Sequence, residues 1–464
     1  MADALAAPAS QHIDRLRSTF GGDVIMPGDD AYDDARRVWN AVYDRRPAVI
    51  VRPTSVDDVA TAIRFARERD LEIAVRGGGH SAAGHSTCEG GLVIDLSKFR
   101  GVTVDAQRGT ARANGGAHLA ELDTAAQAHG LVCPVGVVGH TGVAGLTLGG
   151  GMGRLQRNFG LTLDSLRAVE LVTADGRMVR VSEAEEPDLF WGIRGAGPNF
   201  GVVTAFEFDL HPFSGTLHRG MQIYPASEVH EAWALFRDFA AIAPDAVGLI
   251  FVIGRAEPAS EYPESVAGQP IAIISYNHSG DPSAVERDLA PLRTGPEPVA
   301  STSAPHVYLE IQAANDEAMG FGHRSYIKGG YADQVRPETI DRLVEHAAAA
   351  PGEGSFAVTA LGGAIGRVAD DAMAFTGRDA RFEVSADIGW EDPTEDEVFV
   401  EWTRQAMAIV EPDAVTGRYV NEIAEHGPEE TRAIYGDAKL PRLTELKRAW
   451  DPDNIFHLNH NIAP

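Results

Sequence analysis

Glycine falls in this chain in three dense blocks, and any fold must find a use for them. They are RGGGHSAAG at 76–84, GLVCPVGVVGHTGVAGLTLGGGMGRLQRNFGLTLDS at 130–165 and GIRGAGPNFGV at 192–202. A residue without a Cβ lets backbone N–H groups approach an anion closely. In the first block a short apolar run, 71–75, leads into Arg76, three glycines and His80. Arg76 adds positive charge there, so a phosphate or pyrophosphate fits, with His80 beside whatever carries it. The second block interleaves Val and Leu with its glycines, which excludes a long regular element across 133–153 and reads as buried backbone wrapped around something flat.

The flanking sequence decides what kind of nucleotide site this is. Ser55-Val-Asp-Asp58 is a capping-box-like start with Asp in place of Glu or Gln. Val56, Val59, Ala60, Ile63 and Ala66 then recur at helical spacing, which predicts an amphipathic helix over 56–69. With strands at 48–51 and 71–75 this is a β-α-β unit, and Gly77-x-Gly79-x-x-Ala82 satisfies the loose dinucleotide pattern. That pattern needs a helix opening directly on the glycines. Here more loop and a β-rich run, 92–96, follow instead, so the nicotinamide reading is rejected.

Bulk properties narrow the remaining choices. A chain of 464 residues predicts two or three cores. Its formal charge of −27, from 67 acidic against 40 basic side chains, argues against nucleic acid and against an anionic membrane face. No run approaches the ~20 apolar residues of a membrane span, and the N-terminus lacks the pattern of a signal peptide. Cys88 and Cys133 are the only cysteines, too few for a disulfide framework. A cytoplasmic monomer or homodimer is the expectation.

Further strands are predicted at 102–104 and 110–113, a helix at 118–129 and a hairpin at 166–181. At His211-Pro212 the glycine clusters thin out, and strands alternate with helices such as 227–240 and 337–349. In the strand candidate 381–388, Arg381, Glu383, Ser385 and Asp387 alternate with apolar residues, so period two places them on one face. This face is either an ordinary solvent-facing surface or one presented to a substrate by a sheet resting on helices. A second strand candidate is 324–328. The tail carries a helix at 440–450 and ends IFHLNHNI, where His457 and His460 lack a third ligand for a metal.

Together, GDVIMPGDDAYDDARRVWN, RGGGHSAAGHS, GLTLGGGMGRLQRNFGLTLDS, LFWGIRGAGPNFGVVT and WDPDNIFHLNHNI identify a resemblance over nearly the whole chain. It resembles the FAD-linked oxidases of the berberine-bridge-enzyme-like group, which carry a PCMH-type (vanillyl-alcohol-oxidase-like) FAD-binding domain. It is also similar to the bacterial 6-hydroxy-D-nicotine oxidase branch. The resemblance implies an α+β chain: a two-part FAD-binding domain over 1–212 with its core at about 43–212, a substrate domain with a helix-covered antiparallel sheet over 213–418, and a C-terminal segment, 419–464, returning to the first domain. Its cofactor would be FAD, joined through the 8α-methyl to His80. Some members add a second link to flavin C6 from a cysteine, and Cys133 stands in a similar segment, one residue shorter.

The same resemblance implies that Arg76, Gly77, Gly78, Gly79, Ser81 and Gly84 line the pyrophosphate. Gly136, Gly139, His140, Gly142 and Gly145 would follow the ring and ribityl chain, and Gly197, Asn199, Gly201 and Val203 the adenine half. Tyr419, Asn459 and Asn461 would be C-terminal contacts. The expected reaction takes a hydride from a small substrate (alcohol, amine, phenolic or polyketide ring, or sugar) to flavin N5, with reoxidation by O2 giving H2O2. Candidates for the base are Tyr326 with Lys328, whose charge would lower the phenol's pKa, Glu383 and Tyr419. Phe375-Thr-Gly-Arg378 departs from the aromatic-Pro-His-Arg run of relatives, so their substrates do not transfer. The alternatives are a flavin-linked dehydrogenase with another acceptor and a flavin-binding protein without turnover.

Overall fold

The computed structural model describes residues 10–256 and 262–464. Of the N-terminal twenty residues, Ser10–Thr19 is helical, and 1–9 lie outside the described residues. The helix Val56–Arg67 carries the capping box expected from Ser55 and Asp58. Its buried face (Val59, Ala60, Ile63, Ala66) covers a four-stranded sheet ordered Asp23–Ile25, Val49–Arg52, Leu92–Asp95, Ile73–Arg76. The last three strands run parallel. The chain leaves Ile73–Arg76 straight into the glycine turn, without the helix that the rejected dinucleotide pattern requires.

A five-stranded antiparallel sheet follows, ordered Val102–Asp105, Thr110–Asn114, Val202–Asp209, Leu166–Val172, Met178–Ser182. The predicted hairpin over 166–181 is its Leu166–Val172/Met178–Ser182 pair. The second glycine block is mostly irregular but contains a seven-residue helix, Val143–Gly149. Helix Leu119–Gln127, helix Pro187–Ala196 and this block share one core with the sheet.

From Thr216 onward the strands build an eight-stranded antiparallel sheet. Helices Val229–Ala240, Pro337–Ala348 and Asp396–Val410 cover one face of it, around Phe251, Val358, Phe382, Val384 and Ala386. Strand Arg324–Ala332 lies between Phe382–Trp390 and the short Ala414–Val415. Their register sorts the side chains by face, because directly opposed residues point the same way. Tyr326 opposes Ile388 and Lys328 opposes Ala386, on the helix-covered side. Ile327, Gly329 and Tyr331 oppose Asp387, Ser385 and Glu383 on the other side. That polar face meets the first half of the chain. Tyr331 packs with Leu161, Phe375 and Tyr419.

The C-terminal helix Pro428–Trp450 breaks at Gly436 and packs on Pro187–Ala196. The tail then runs back along the third glycine block: Asn459 donates to the Pro198 carbonyl (3.0 Å) and Ile462 N–H to Asn199 Oδ1 (2.9 Å). No helix among the described residues is long and apolar enough to cross a membrane.

Candidate functional site

A cavity of ≈ 390 Å³ opens where all three glycine blocks, the tail and the polar face of the large sheet converge. That volume is typical of cofactor and substrate sites. Two bare backbones make its near wall: an added Cβ on Gly78 would lie 2.2 Å from Gly142 N, so the first two blocks approach as closely as main chains can. Gly79 has φ +76°, a conformation that side chains other than glycine rarely adopt. Gly145 faces open space within the cavity.

Of the residues expected to hold FAD, the cavity is lined by Gly77, Gly78, Gly79, His80, Ser81, Gly136, Gly142, Gly145, Asn199, Gly201, Val203 and Asn459. Two of its lining residues carry buried polar atoms without a protein partner, Asn459 Oδ1 and His460 Nδ1. A cavity with bare backbone along one wall and unsatisfied polar atoms at the tail fits a flavin dinucleotide.

Several expectations need correction. Arg76 does not point at a phosphate: its guanidinium donates to the Ala35 carbonyl, outside the lining. Strand alternation turns it away from the wall that the following glycines build. Gly84, Gly139, Gly197 and Asn461 also lie off the lining. Gly84 is bare to admit the Tyr43 ring, Gly197 to admit Leu148, and Gly139 N–H donates to Asp316 Oδ1. Cys133 is fully buried in the apolar core of the first half, off the cavity, and burial pushes its thiol pKa far up. A thiol held protonated behind the cavity wall is not a candidate for a second flavin bond.

His80 sits at the opposite extreme. Its ring stacks on Trp39 (centroids 5.1 Å apart), and Phe321 meets it edge-on. His140, itself off the lining, holds it: His80 Nε2 and His140 Nδ1 are 2.6 Å apart, and His140 Nε2 lies 3.1 Å from the Asp316 carbonyl oxygen. A carbonyl can only accept, so His140 carries its proton on Nε2 and presents a bare Nδ1. His80 must therefore donate from Nε2, which leaves its own Nδ1 lone pair free. Burial, with His140 and His118 nearby, lowers the His80 pKa to about 3. The imidazole is neutral at any physiological pH, as a nucleophile must be.

The proposed bases fare differently. Tyr326 and Lys328 both bind Glu425, the phenol to Oε1 at 3.0 Å and the ammonium to Oε2. Burial and the Glu425 charge raise the Tyr326 pKa, so Lys328 does not activate it as expected. Neither residue lines the cavity. Tyr419 does, but its oxygen receives Gly151 N–H (3.2 Å), Met152 N–H (3.0 Å) and Asn421 Nδ2 (3.1 Å). Burial is the largest influence on its pKa, raising it to about 12. Tyr419 is a clamp on the second glycine block.

Glu383 lies on the polar face, 3 % exposed, with its carboxyl against that of Glu422, which lines the cavity. Burial raises both pKa values, that of Glu422 to about 7 and that of Glu383 well above the usual carboxylate range. Glu422 was not singled out in the sequence, although Tyr419 was. Val420–Glu422 is a single 3₁₀ turn, in which residues three apart eclipse, and that spacing was the available signal.

Comparison with known proteins agrees with this geometry. The family model for an FAD binding domain matches residues 47–182, and that described as berberine and berberine like matches 418–463. The chain is 31% identical to the (R)-6-hydroxynicotine oxidase of Paenarthrobacter nicotinovorans, over 96% of this chain and 97% of that protein. It is 30% identical to an FAD-linked oxidoreductase of Dictyostelium discoideum, over 98% of each. The crystal structure of 6-hydroxy-D-nicotine oxidase from Arthrobacter nicotinovorans superposes with a TM-score of 0.82 at 29% identity, covering 96% of this chain and 98% of that one.

Proposed function

Because the chain belongs to the berberine-bridge-enzyme-like family of FAD-linked oxidoreductases, we propose that it is an oxidase whose FAD is bonded covalently to His80. FAD supplies the acceptor for a hydride from the substrate C–H and the route of those electrons to O2, giving H2O2. The substrate is a small organic molecule with an oxidisable C–H next to oxygen or nitrogen. The protein's part is to bind, to orient and to hold the proton.

One observation carries this reading. A neutral histidine, fixed in one tautomer, stands inside the glycine-lined cavity, and a carboxyl pair borders the same cavity through its Glu422 member. Trp39 and Phe321 restrict the His80 ring, and the tautomer derived above leaves its Nδ1 open for bond formation. The Gly77–Gly79 turn would carry the pyrophosphate and the tail residues Asn459 and His460 the remaining polar groups. Asn421, bonded to the Leu146 carbonyl and to Tyr419, ties the substrate side to the second glycine block. The substrate's O–H or N–H proton goes to the Glu383–Glu422 pair, whose cavity-facing member ionises near neutrality.

Acid precipitation followed by mass mapping of flavin-bearing peptides tests the attachment. The flavin should stay with the protein, on the His80 peptide alone, and His80→Ala should release it. Anaerobic mixing with alcohols, amines, phenols and sugars should bleach the flavin for one class, with peroxide formed on readmitting air. Flavin freed by acid from the wild type overturns the His80 assignment, and no bleaching by any class overturns the oxidase.

A further inference from the structure

Far from Glu383, the large sheet carries positive charge that no acid balances. Arg219, on the strand Thr216–Pro225, is directly opposed to Asn277 on Pro270–His278, so both side chains leave the same face. Asn277 Nδ2 donates to the Arg154 carbonyl oxygen (2.9 Å), which brings the end of the second glycine run against this pair. The Arg154 guanidinium donates to the Ile311 carbonyl (3.3 Å), near the end of helix Tyr308–Ala313, and its Nε is buried without a partner. That carbonyl takes one of five N–H groups and brings no full charge. Burial is the main influence on the Arg154 pKa, lowering it to about 10, and the Arg219 charge lowers it further. Apart from Arg219, the titratable group acting on it is the Tyr308 phenol, and no carboxylate does so. Arg219 makes neither an ion pair nor a side-chain hydrogen bond among the described residues.

In a chain with 67 acidic against 40 basic side chains, two neighbouring arginines without a carboxylate need a cause. Withdrawing a guanidinium from water unpaired costs free energy, which a bound counter-charge restores. Strand register fixes where the pair lies. Met221, two residues from Arg219 on the same face, is opposed to Ser275, Ser275 to Ile250, Ile250 to Thr359 and Thr359 to Glu383. Four strand spacings of ~4.8 Å put roughly 20 Å between the ends of that row. Its middle is uncovered: Ile250 is 37% exposed, and Ser275 and Thr359 are half-buried, whereas helices close the other face of the same strands. An open strip of sheet thus runs from the arginines toward Glu383. On the other half of the chain, Met152, two residues before Arg154, lines the cavity.

We infer that Arg154 and Arg219, with Asn277 beside them, form a binding site for an oxyanion, a carboxylate or a phosphate, at the far end of this strip. Two guanidinium groups present forked N–H donors that match the oxygens of such a group, which a neutral hydroxyl or a halide does not. The net charge of −27 repels anions at long range, so the pair acts at contact distance, where the local cations outweigh the screened field of the rest. The site depends on neither the His80 link nor the Glu422 base. Its oxyanion is either the distal group of an extended substrate or a free anion from solution.

Calorimetric titration of the flavin-loaded enzyme with sodium phosphate tests this, in a zwitterionic buffer with ionic strength held constant by sodium chloride. Phosphate should bind saturably at a single site. Because the loaded enzyme already holds the pyrophosphate of its own cofactor, binding there is not the cofactor's. Arg219→Gln should weaken phosphate at least about tenfold, and Arg219→Lys, which keeps the charge and loses the fork, by less. Arg154→Gln should weaken it likewise; should that buried change prevent folding, the half-buried Arg219 decides. Flavin absorbance and the acid-stable flavin fraction should not change in either Arg219 variant. With any compound that bleaches the flavin, a KM raised by phosphate at constant kcat makes the site the far end of that substrate. An unchanged KM makes it a site for a free anion. No saturable binding, or binding that Arg219→Gln leaves unweakened, overturns the inference. The flavin readings fail separately: acid-released flavin or absent bleaching removes them without altering the phosphate titration.

Discussion

In the proposed flavin attachment, the reactivity of His80 is set by a carbonyl it never touches. Asp316 accepts from His140, which obliges His140 to accept from His80, which frees His80 Nδ1. His140→Ala should therefore leave the protein folded and able to bind FAD while slowing covalent attachment by at least about tenfold. The acid-stable fraction of flavin, followed after adding FAD to apoprotein, measures it; an unchanged rate would remove the relay. At the other end the proposed base is Glu422. With a pKa of about 7, raised chiefly by burial, it is a competent base only above that value. In the flavin-loaded enzyme kcat/KM should fall as pH drops through about 7, with a slope of one proton, and Glu422→Gln should flatten that limb. A profile that persists in the variant would assign the ionisation elsewhere.

At the scale of elements, one strand pair explains which catalytic candidates survive. The alternation of Glu383, Ser385 and Asp387 was legible because period two needs only the sequence. The side on which Tyr326 and Lys328 fall was not legible, because it depends on which strand lies opposite and in what register. Ile388 and Ala386 are their partners, and both belong to the helix-covered face. The same limit hid Cys133: a thiol three residues from the cavity-lining Gly136 can be buried behind the wall, and sequence spacing does not report the turn of a loop. Local signals fared better, as with the Ser55–Asp58 box and the hairpin over 166–181, since their partners lie a few residues away. Tyr326→Phe and Lys328→Met should accordingly leave kcat within about twofold. Each should cost roughly 1 kcal/mol of stability by removing one donor from the half-buried Glu425 carboxylate, which keeps Arg404 (2.9 Å). Steady-state kinetics beside chemical denaturation separates the two effects, and a loss of kcat without loss of stability would return the pair to the catalytic machinery.

Across the whole molecule, the cavity exists only while both halves are docked, and buried polar ties hold them together. Arg157, from the second glycine block, donates to the carbonyls of Val247, Leu361 and Ala243 in the large-sheet half. Gln312 and Tyr308 reach back to Asp123, and Gln312 also binds the carbonyl of Gly136 on the cavity wall. A further tie is an ion pair, from Arg378, whose side chain is fully buried, to Asp164, whose side chain is 10% exposed. Asp164 also accepts the Leu161 N–H that ends the second glycine block. Removing the guanidinium leaves that carboxylate buried with a single backbone donor. Arg378→Met should therefore cost about 3–5 kcal/mol. Because the lost tie spans the halves, the first half and the large sheet should melt together in wild type and separate in the variant. Differential scanning calorimetry alongside flavin fluorescence reads this: one coincident transition becomes two, with flavin exposure following the lower one. A variant that still melts in a single step at the wild-type temperature would show that apolar packing across the cavity, and not the buried ion pair, couples the halves.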